Sequence, residues 1–575
     1  MKRILTVLSL TLTMTIGIGQ TAYNYIDINQ VDALISASGN HFWDFSDNHF
    51  YVPADSMTQA IFTSTLWVGG LDSANELHVA AERFRQVGQD YFPGPYGDNS
   101  SYNPPNNGSW NNVWKVNKTD LDTWLSSLSA MAPTSATDWP AHGDMSLGQD
   151  YYLAPFVDVD GDGQYNTNNW DYPAMKGDQT LFFMYNDHSS VHTESGGAAM
   201  GLEIRGMAYA FDCPQDQVLD QTLFMEHTIY NKSNEDYHDV YIANWNDYDL
   251  GNYSDDYIGC DPVRNLYFAY NGDTLDEDAN GNQGYGNNLP AIGVRLLETP
   301  LIEADGIDNP FSLTDSLSLN GIGFGDGIVD NEQLGLAYHS YNQNAAGPTG
   351  DPSIATDYYN YMRGLWKDGS SMTYGGNGWN PGDSNAVPCR YMFPDSSDIY
   401  NIGTNGTVMP LGWSETTAGN TPGDRRGLGS VGPFDLPAGS HVKFTYAYVF
   451  GQAKNDNLLA VDVMKANSDH IDSLFRSGTT PCGDFEVYFT VGIDETNPLG
   501  LDMYPNPASE QVRITGLTAK SHIKILDVQG RIIQEQAVSA ATSNQIDVSD
   551  LPAGRYSVNI TSEGKTSVLP LIVTP

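Results

Sequence analysis

Basic residues are scarce in this chain: 26 Lys and Arg stand against 71 Asp and Glu, a formal net charge of −45. Nucleic-acid binders need Lys and Arg to displace counterions from phosphates, so this balance argues against them and equally against anionic membrane surfaces. Glutamate is scarce among the acids, with 16 Glu to 55 Asp. A solvated helical surface favours Glu, whereas Asp favours turns, caps and hard-cation sites; the excess therefore reads partly as loop and partly as calcium. Only four cysteines occur, Cys213, Cys260, Cys389 and Cys482, and none forms a CxxC pair. That spacing argues against zinc and dithiol redox sites and leaves up to two disulfides, with three connectivities open. HExxH, a complete nucleophile elbow, a phosphate loop and a dinucleotide fingerprint are all missing. The one long apolar run, Ile4 to Ile18, falls short of the ~20 residues of a spanning helix. With Lys2 and Arg3 before it and the small residues Gly17 and Gly19 at its end, it is expected to be a secretory signal peptide, residues 1–19.

What the chain does contain is turn signals and short β-type runs. Its 575 residues predict two or three domains, and its 34 Tyr, 21 Phe and 11 Trp argue for a packed protein over a disordered one. From Gln20 to about Phe450, clusters of Gly, Asn, Asp and Pro separate "TLFFMYND", "TLFMEHTIYN", "DVYIANWND" and "HVKFTYAYVFG", which read as strands. Helical spacing is limited to "TDLDTWLSSLS" (Thr119 to Ser129) and "NLLAVDVMKANSDHIDSLFRSG" (Asn457 to Gly478). The expected fold is mainly β: a loop-rich body over residues 20–493, with room for two subdomains, and a C-terminal Ig-like antiparallel sandwich over residues 494–575. In the latter, "VRITGL", "HIKILDV", "RIIQEQAV", "NQIDVSDL", "GRYSVNITSE" and "SVLPLIV" recur with a turn every eight to twelve residues.

Across Leu499 to Pro575, "MYPNPASEQVRI", "IKILDVQGRII" and "IDVSDLPAGRYSVNI" resemble the type IX secretion C-terminal sorting domain (type A) of Bacteroidota. The resemblance implies export through the outer membrane by the type IX machinery, with removal of this domain and attachment or release of the body. The chain departs from the pattern at its end: "LIVTP" carries no basic residue, and Lys565 is the last cation. The body is similar, in segments such as "FTSTLWVGGLDSANELHVAAERFRQVGQDYFPGP" and "YNYMRGLWKDGSSMTYGGNGW", to large secreted type IX cargo proteins. That set has no settled activity to carry over.

The most specific chemical signal is "DVDGDGQYNTNNWD", Asp158 to Asp171. Asp158, Asp160 and Asp162 occupy positions 1, 3 and 5 of an EF-hand-like loop, Gly163 the turn position 6, Gln164 position 7 and Asn166 position 9. Alternate carboxylates on a tight turn converge, and one calcium ion neutralises their repulsion. Position 12 holds Asn169 instead of a bidentate Glu, so Asp171 or Asp178 is expected to close the site, within a β context. Asp326, Asp330 and Glu332 in "GDGIVDNEQLG", near Asp305 and Asp308 in "EADGIDNP", repeat the theme more weakly, as separate sites or as halves of one. The acids of "NDYDLGNYSDDYIGCD" read as a solvated loop.

Catalytic candidates are near misses. "NDHSSVHTESGG" holds His188, His192, Glu194 and Ser195, without a zinc-protease pattern and without the first Gly of an elbow. The aromatics Tyr358, Tyr359, Tyr361, Trp366, Tyr374 and Trp379 would stack sugars if exposed, but are expected as packing. The leading expectation is a secreted or cell-surface, calcium-stabilised, non-catalytic binding or adhesion protein with a polysaccharide or surface ligand. The alternative is a secreted hydrolase of polysaccharide or protein with structural calcium. Converging carboxylates of raised pKa in a pocket would favour the hydrolase; an exposed aromatic strip would favour the binding module.

Overall fold

The computed structural model describes residues 21–485, apart from 46, 98–109, 127–130, 280 and 314, and most of 499–573. The expected signal peptide lies outside the described residues. Strands account for 39% and helices for 14%, so the mainly β expectation holds.

The body is built around two antiparallel sheets. The larger has nine strands, running Asp256–Asp261, Leu266–Asn271, Asn288–Glu298, His441–Lys454, Thr222–Asn231, Leu202–Ala210 and Gln179–Asn186; Phe92–Pro93 and Trp114–Asn117 both pair with the last. The smaller has five, in the order Tyr338–Gln343, Arg425–Leu436, Tyr237–Tyr248, Thr63–Leu71 and Leu77–Ala81. Twice the chain passes from one sheet to the other through a short corner, after Asn231 and after Leu436. Asn231 Nδ2 pins both corners, donating to Glu235 O (2.8 Å) and Leu436 O (3.0 Å).

Between the sheets lies a buried polar layer. Period-2 alternation in the strand Tyr237–Tyr248 turns Asn244 and Asn246 toward the larger sheet. There Tyr267 OH donates to Asn244 Oδ1 (2.6 Å), and Tyr448 OH bonds Ser64 Oγ (2.7 Å) and Asn246 Oδ1 (2.9 Å). Such groups are costly in a core unless paired, and these are. The same alternation sends Trp245 and Asp247 to the opposite face. Trp245 stacks on Trp67 with ring centroids 5.6 Å apart, under the helix Ala355–Met362. Tyr358, Tyr359, Tyr361 and Trp366 are all buried there, so most of the aromatic stretch is packing, as expected.

The outer face of the larger sheet is covered by the helix Asn457–Ser477. Asp456 caps its first turn by accepting from Leu459 N (2.9 Å), and Gly478 ends it at φ +71°. Met464 settles so closely on the sheet that a Cβ at Gly451 would meet its backbone N at 2.5 Å. The shorter helix spans Lys118–Leu125, starting one residue before the predicted stretch Thr119 to Ser129. Cys213 and Cys482 form a disulfide, while Cys260 and Cys389 are unpaired and buried. The C-terminal module has its own core, from Leu501 to Val573, between a three-stranded and a four-stranded antiparallel sheet, which is the expected sandwich.

Candidate functional site

The aspartate loop hangs between two short paired strands, Phe156–Val157 and Tyr172–Pro173, which is the β context anticipated. Gly161 and Gly163, at φ +74° and +77°, supply the left-handed turns that fold it back on itself. Asp158 accepts from the amides of Gly161 (2.7 Å) and Gly163 (2.8 Å), and Asp162 from that of Gln164 (2.7 Å). Buried Asp171 accepts from Val159 N and Asn166 N, both at 2.8 Å. One oxygen each from Asp158, Asp160, Asp162 and Asp171 lies within 4.8 Å of all the others. No Lys, Arg or His among the described residues pairs with any of the four. Burial, with Asp158 and Asp160 nearby, pushes the Asp171 carboxyl up.

The remaining predicted ligands are placed differently. Asp171 takes the closing position, while Asp178 accepts from Asp212 N elsewhere. Asn169 donates to Asp160 Oδ2 (2.6 Å), and Asn166 Oδ1 caps the turn Thr167–Asn169 by accepting from Asn168 N (3.0 Å). Gln164 follows in the loop and donates its backbone N–H to Asp162 Oδ1 (2.7 Å). Asp326, Asp330 and Glu332 join no comparable group among the described residues. They brace two loops instead: Asp330 accepts from Asp305 N and Gly306 N (2.8 Å each), Glu332 from Asn309 N, and Asp326 from Ile328 N (2.8 Å).

The acids of "NDYDLGNYSDDYIGCD" correct the solvated-loop reading. Asp247, Asp249, Asp256 and Asp261 are buried, because the strand Tyr237–Tyr248 runs on into this stretch and the strand Asp256–Asp261 completes the larger sheet. In the smaller sheet, Asp247 stands directly opposite Arg426. Their side chains meet on the outer face, with Arg426 Nε 2.9 Å from Asp247 Oδ1 and Nη2 3.2 Å from Asp424 Oδ2. Arg83, just beyond the strand Leu77–Ala81, reaches Glu194 (3.1 Å) and Asp351 (3.1 Å). These groups, with Asp249, Phe62 and Phe84, wall an open cleft of about 420 Å³. Burial raises the Glu194 carboxyl despite Arg83, and its Oε2 has no hydrogen-bond partner among the described residues. Burial and Asp424 push Asp249 up to about 7 against the pull of Arg426.

The rest of the "NDHSSVHTESGG" cluster is structural. His188 is exposed and His192 buried, so they share no ligand position. His192 contacts Val79 O (2.8 Å) and Asp187 O (2.7 Å) through its two nitrogens; burial would lower its pKa, but Asp187 and Asp90 outweigh that and raise it. Ser195 donates to Asp90, not to an imidazole.

The C-terminal module matches the family model of the secretion system C-terminal sorting domain over residues 502–574. It is a type IX sorting domain. The protein is therefore type IX cargo, secreted or held on the outer cell surface, and its sorting domain engages the export machinery. Among the described residues no helix is long and apolar enough to cross a membrane. No curated protein matches this chain. Two solved structures share little with it. A polysaccharide lyase aligns at 9% identity and TM-score 0.17 over 74% of this chain and 43% of its own length, so the chain spans less than half of that structure. PorZ, a surface component of the type IX system of Porphyromonas gingivalis, aligns at 10% identity and TM-score 0.13 over 99% of this chain and 77% of its own.

Proposed function

We propose that the body upstream of the sorting domain is an extracellular, calcium-stiffened binding protein that takes its ligand at the cleft between Arg83 and Arg426. The observation that supports binding is the construction of that cleft. Five chain segments far apart in sequence bring charged groups to one wall of the sandwich; Glu194 Oε2 has no hydrogen-bond partner among the described residues, and no described side chain pairs with Asp249. Unsatisfied polar atoms on a concave, preformed surface are what a ligand completes. For calcium, the support is four converging carboxylates with no cationic side chain among them, a set of hard oxygen donors suited to that ion.

Calcium is expected to raise the melting temperature, because an ion bound only by the folded state stabilises it by about 2.7 kcal/mol at a hundredfold excess over its Kd. Asp160→Ala removes an exposed ligand without disturbing the core and should abolish most of that increment. Identical melting curves with calcium and with chelator would reject the metal.

The hydrolase reading is favoured by one feature, the raised carboxyl groups of Glu194 and Asp249 on the same cleft, since a general acid or base works best near the operating pH. A screen of the purified body against polysaccharides and peptides separates the two. The binding reading expects no turnover; turnover lost in Asp249→Asn would replace it with the hydrolase.

A further inference from the structure

The cleft holds more carboxyl groups than its guanidinium groups neutralise. Arg83 and Arg426 face Glu194, Asp247, Asp249, Asp351 and Asp424. Four of the five acids are ion-paired: Glu194 and Asp351 with Arg83, Asp247 and Asp424 with Arg426, at 2.9 to 3.2 Å. Asp249 is the fifth. It is only 9% exposed, yet it lines the cleft, and no described residue forms an ion pair or side-chain hydrogen bond with it. Arg426 attracts it from a distance, but this buried carboxylate has no contacting counter-ion among the described residues, and the site is open to receive one.

The walls narrow the choice. Phe84 already sits against two cations, 5.9 Å from Arg83 Cζ and 5.6 Å from Arg426 Cζ, and Phe62 meets Phe84 edge-on at 5.9 Å. Aromatic faces attract organic cations as well as offering them apolar surface. An anion finds both arginines occupied. A divalent metal finds no three carboxylates converging here, in contrast to the aspartate loop.

We propose that this cleft binds an organic cation, a primary ammonium or guanidinium group on a small or side-chain-sized ligand, with Asp249 as its counter-ion. The inference rests on the reading of the cleft as the ligand site and names the chemistry of that ligand. Binding then depends on pH, because proton and ligand compete for the same carboxylate. The groups facing Asp249 are Asp424, Arg426, Asp247 and Asp256, with Arg83, Glu194 and Asp351 across the cleft. Since Asp249 titrates at about 7, affinity falls roughly tenfold for each pH unit below that value.

The test is calorimetric titration of the full chain, with calcium present to saturate the loop. The probes are agmatine and cadaverine, against 1,5-pentanediol and glucose as neutral matches. Both cations should bind at about pH 8, at least tenfold more weakly at about pH 5.5, and the neutral probes not at all. Asp249→Asn should cost at least tenfold. Val87→Trp, at a rim position 68% exposed, should block entry without touching any carboxylate. Neutral probes binding as well as the cations would overturn the ligand class and leave the cleft as a binding site. So would a second calcium equivalent that disappears in Asp249→Asn. If no probe binds, and neither variant changes binding of the full chain to glycan and peptide arrays, the cleft reading itself fails.

Discussion

Replacing Cys213 or Cys482 with serine is expected to destabilise the body by about 5 kcal/mol, near the upper end for one disulfide. The bond joins residues 269 apart in sequence, so its loss frees most of the body's unfolded chain, and closure entropy grows with loop length. The native state loses little packing in exchange. Phe485, three residues past Cys482, remains against Phe211 and Phe224, with ring centroids 5.1 and 5.2 Å away. Urea unfolding of the oxidised and variant bodies reads the difference directly. A loss below about 1 kcal/mol would mean that the unfolded chain is already held compact by other means. Cys260 and Cys389 should contribute nothing comparable. Both are buried, burial raises both thiols, and Cys260 Sγ donates to Met392 O (3.3 Å). They should resist alkylation until the body unfolds.

Arg426→Leu is expected to cost about 3–5 kcal/mol, the penalty for removing one member of a buried ion pair. The guanidinium is almost fully buried, is the only described cation paired with Asp247 and Asp424, and also lies over Phe84. Without it, the Asp247 carboxyl, already raised by burial, must take up a proton as the protein folds. The folded state then holds more protons than the unfolded state, so stability falls as pH rises above about 4, the range in which an unfolded Asp ionises. The deficit should therefore be largest at neutral pH and should shrink toward pH 4–5. Denaturant midpoints at two pH values check the sign, and Asp247→Asn in the same background should recover part of the loss. A small deficit that does not change with pH would show that water already solvates Asp247.

Features contained within short stretches were legible from spacing. The repeating strands and turns of the sorting domain lie within some eighty residues, and each strand shows its own alternation between turn signals. The helix Asn457–Ser477 showed its helical spacing and its terminal Arg and Gly in one run of sequence. The aspartate loop closes within fourteen residues, so the convergence of Asp158, Asp160, Asp162 and Asp171 was visible in advance. Asn166 was harder, because whether a side chain turns inward or caps a neighbouring turn depends on backbone angles that residue type does not specify. The acids around Asp247 looked solvated for a related reason. A Gly, Asn and Asp-rich stretch is a turn by composition, and only the continuation of the strand Tyr237–Tyr248 into it and the pairing of the strand Asp256–Asp261 bury them.

By itself the sequence determined the export route, the β class, the main helix and the core of the aspartate loop, because each leaves a pattern readable within short stretches of chain. Tertiary structure alone decided that Cys213 meets Cys482 and that Asp247 meets Arg426, and it alone gathered Arg83, Glu194, Asp249 and Asp351 into one cleft. Those contacts span tens to hundreds of residues. They depend on strand register, on bulges in the strand Tyr237–Tyr248 and on the packing of two sheets, none of which leaves a periodic trace in the chain.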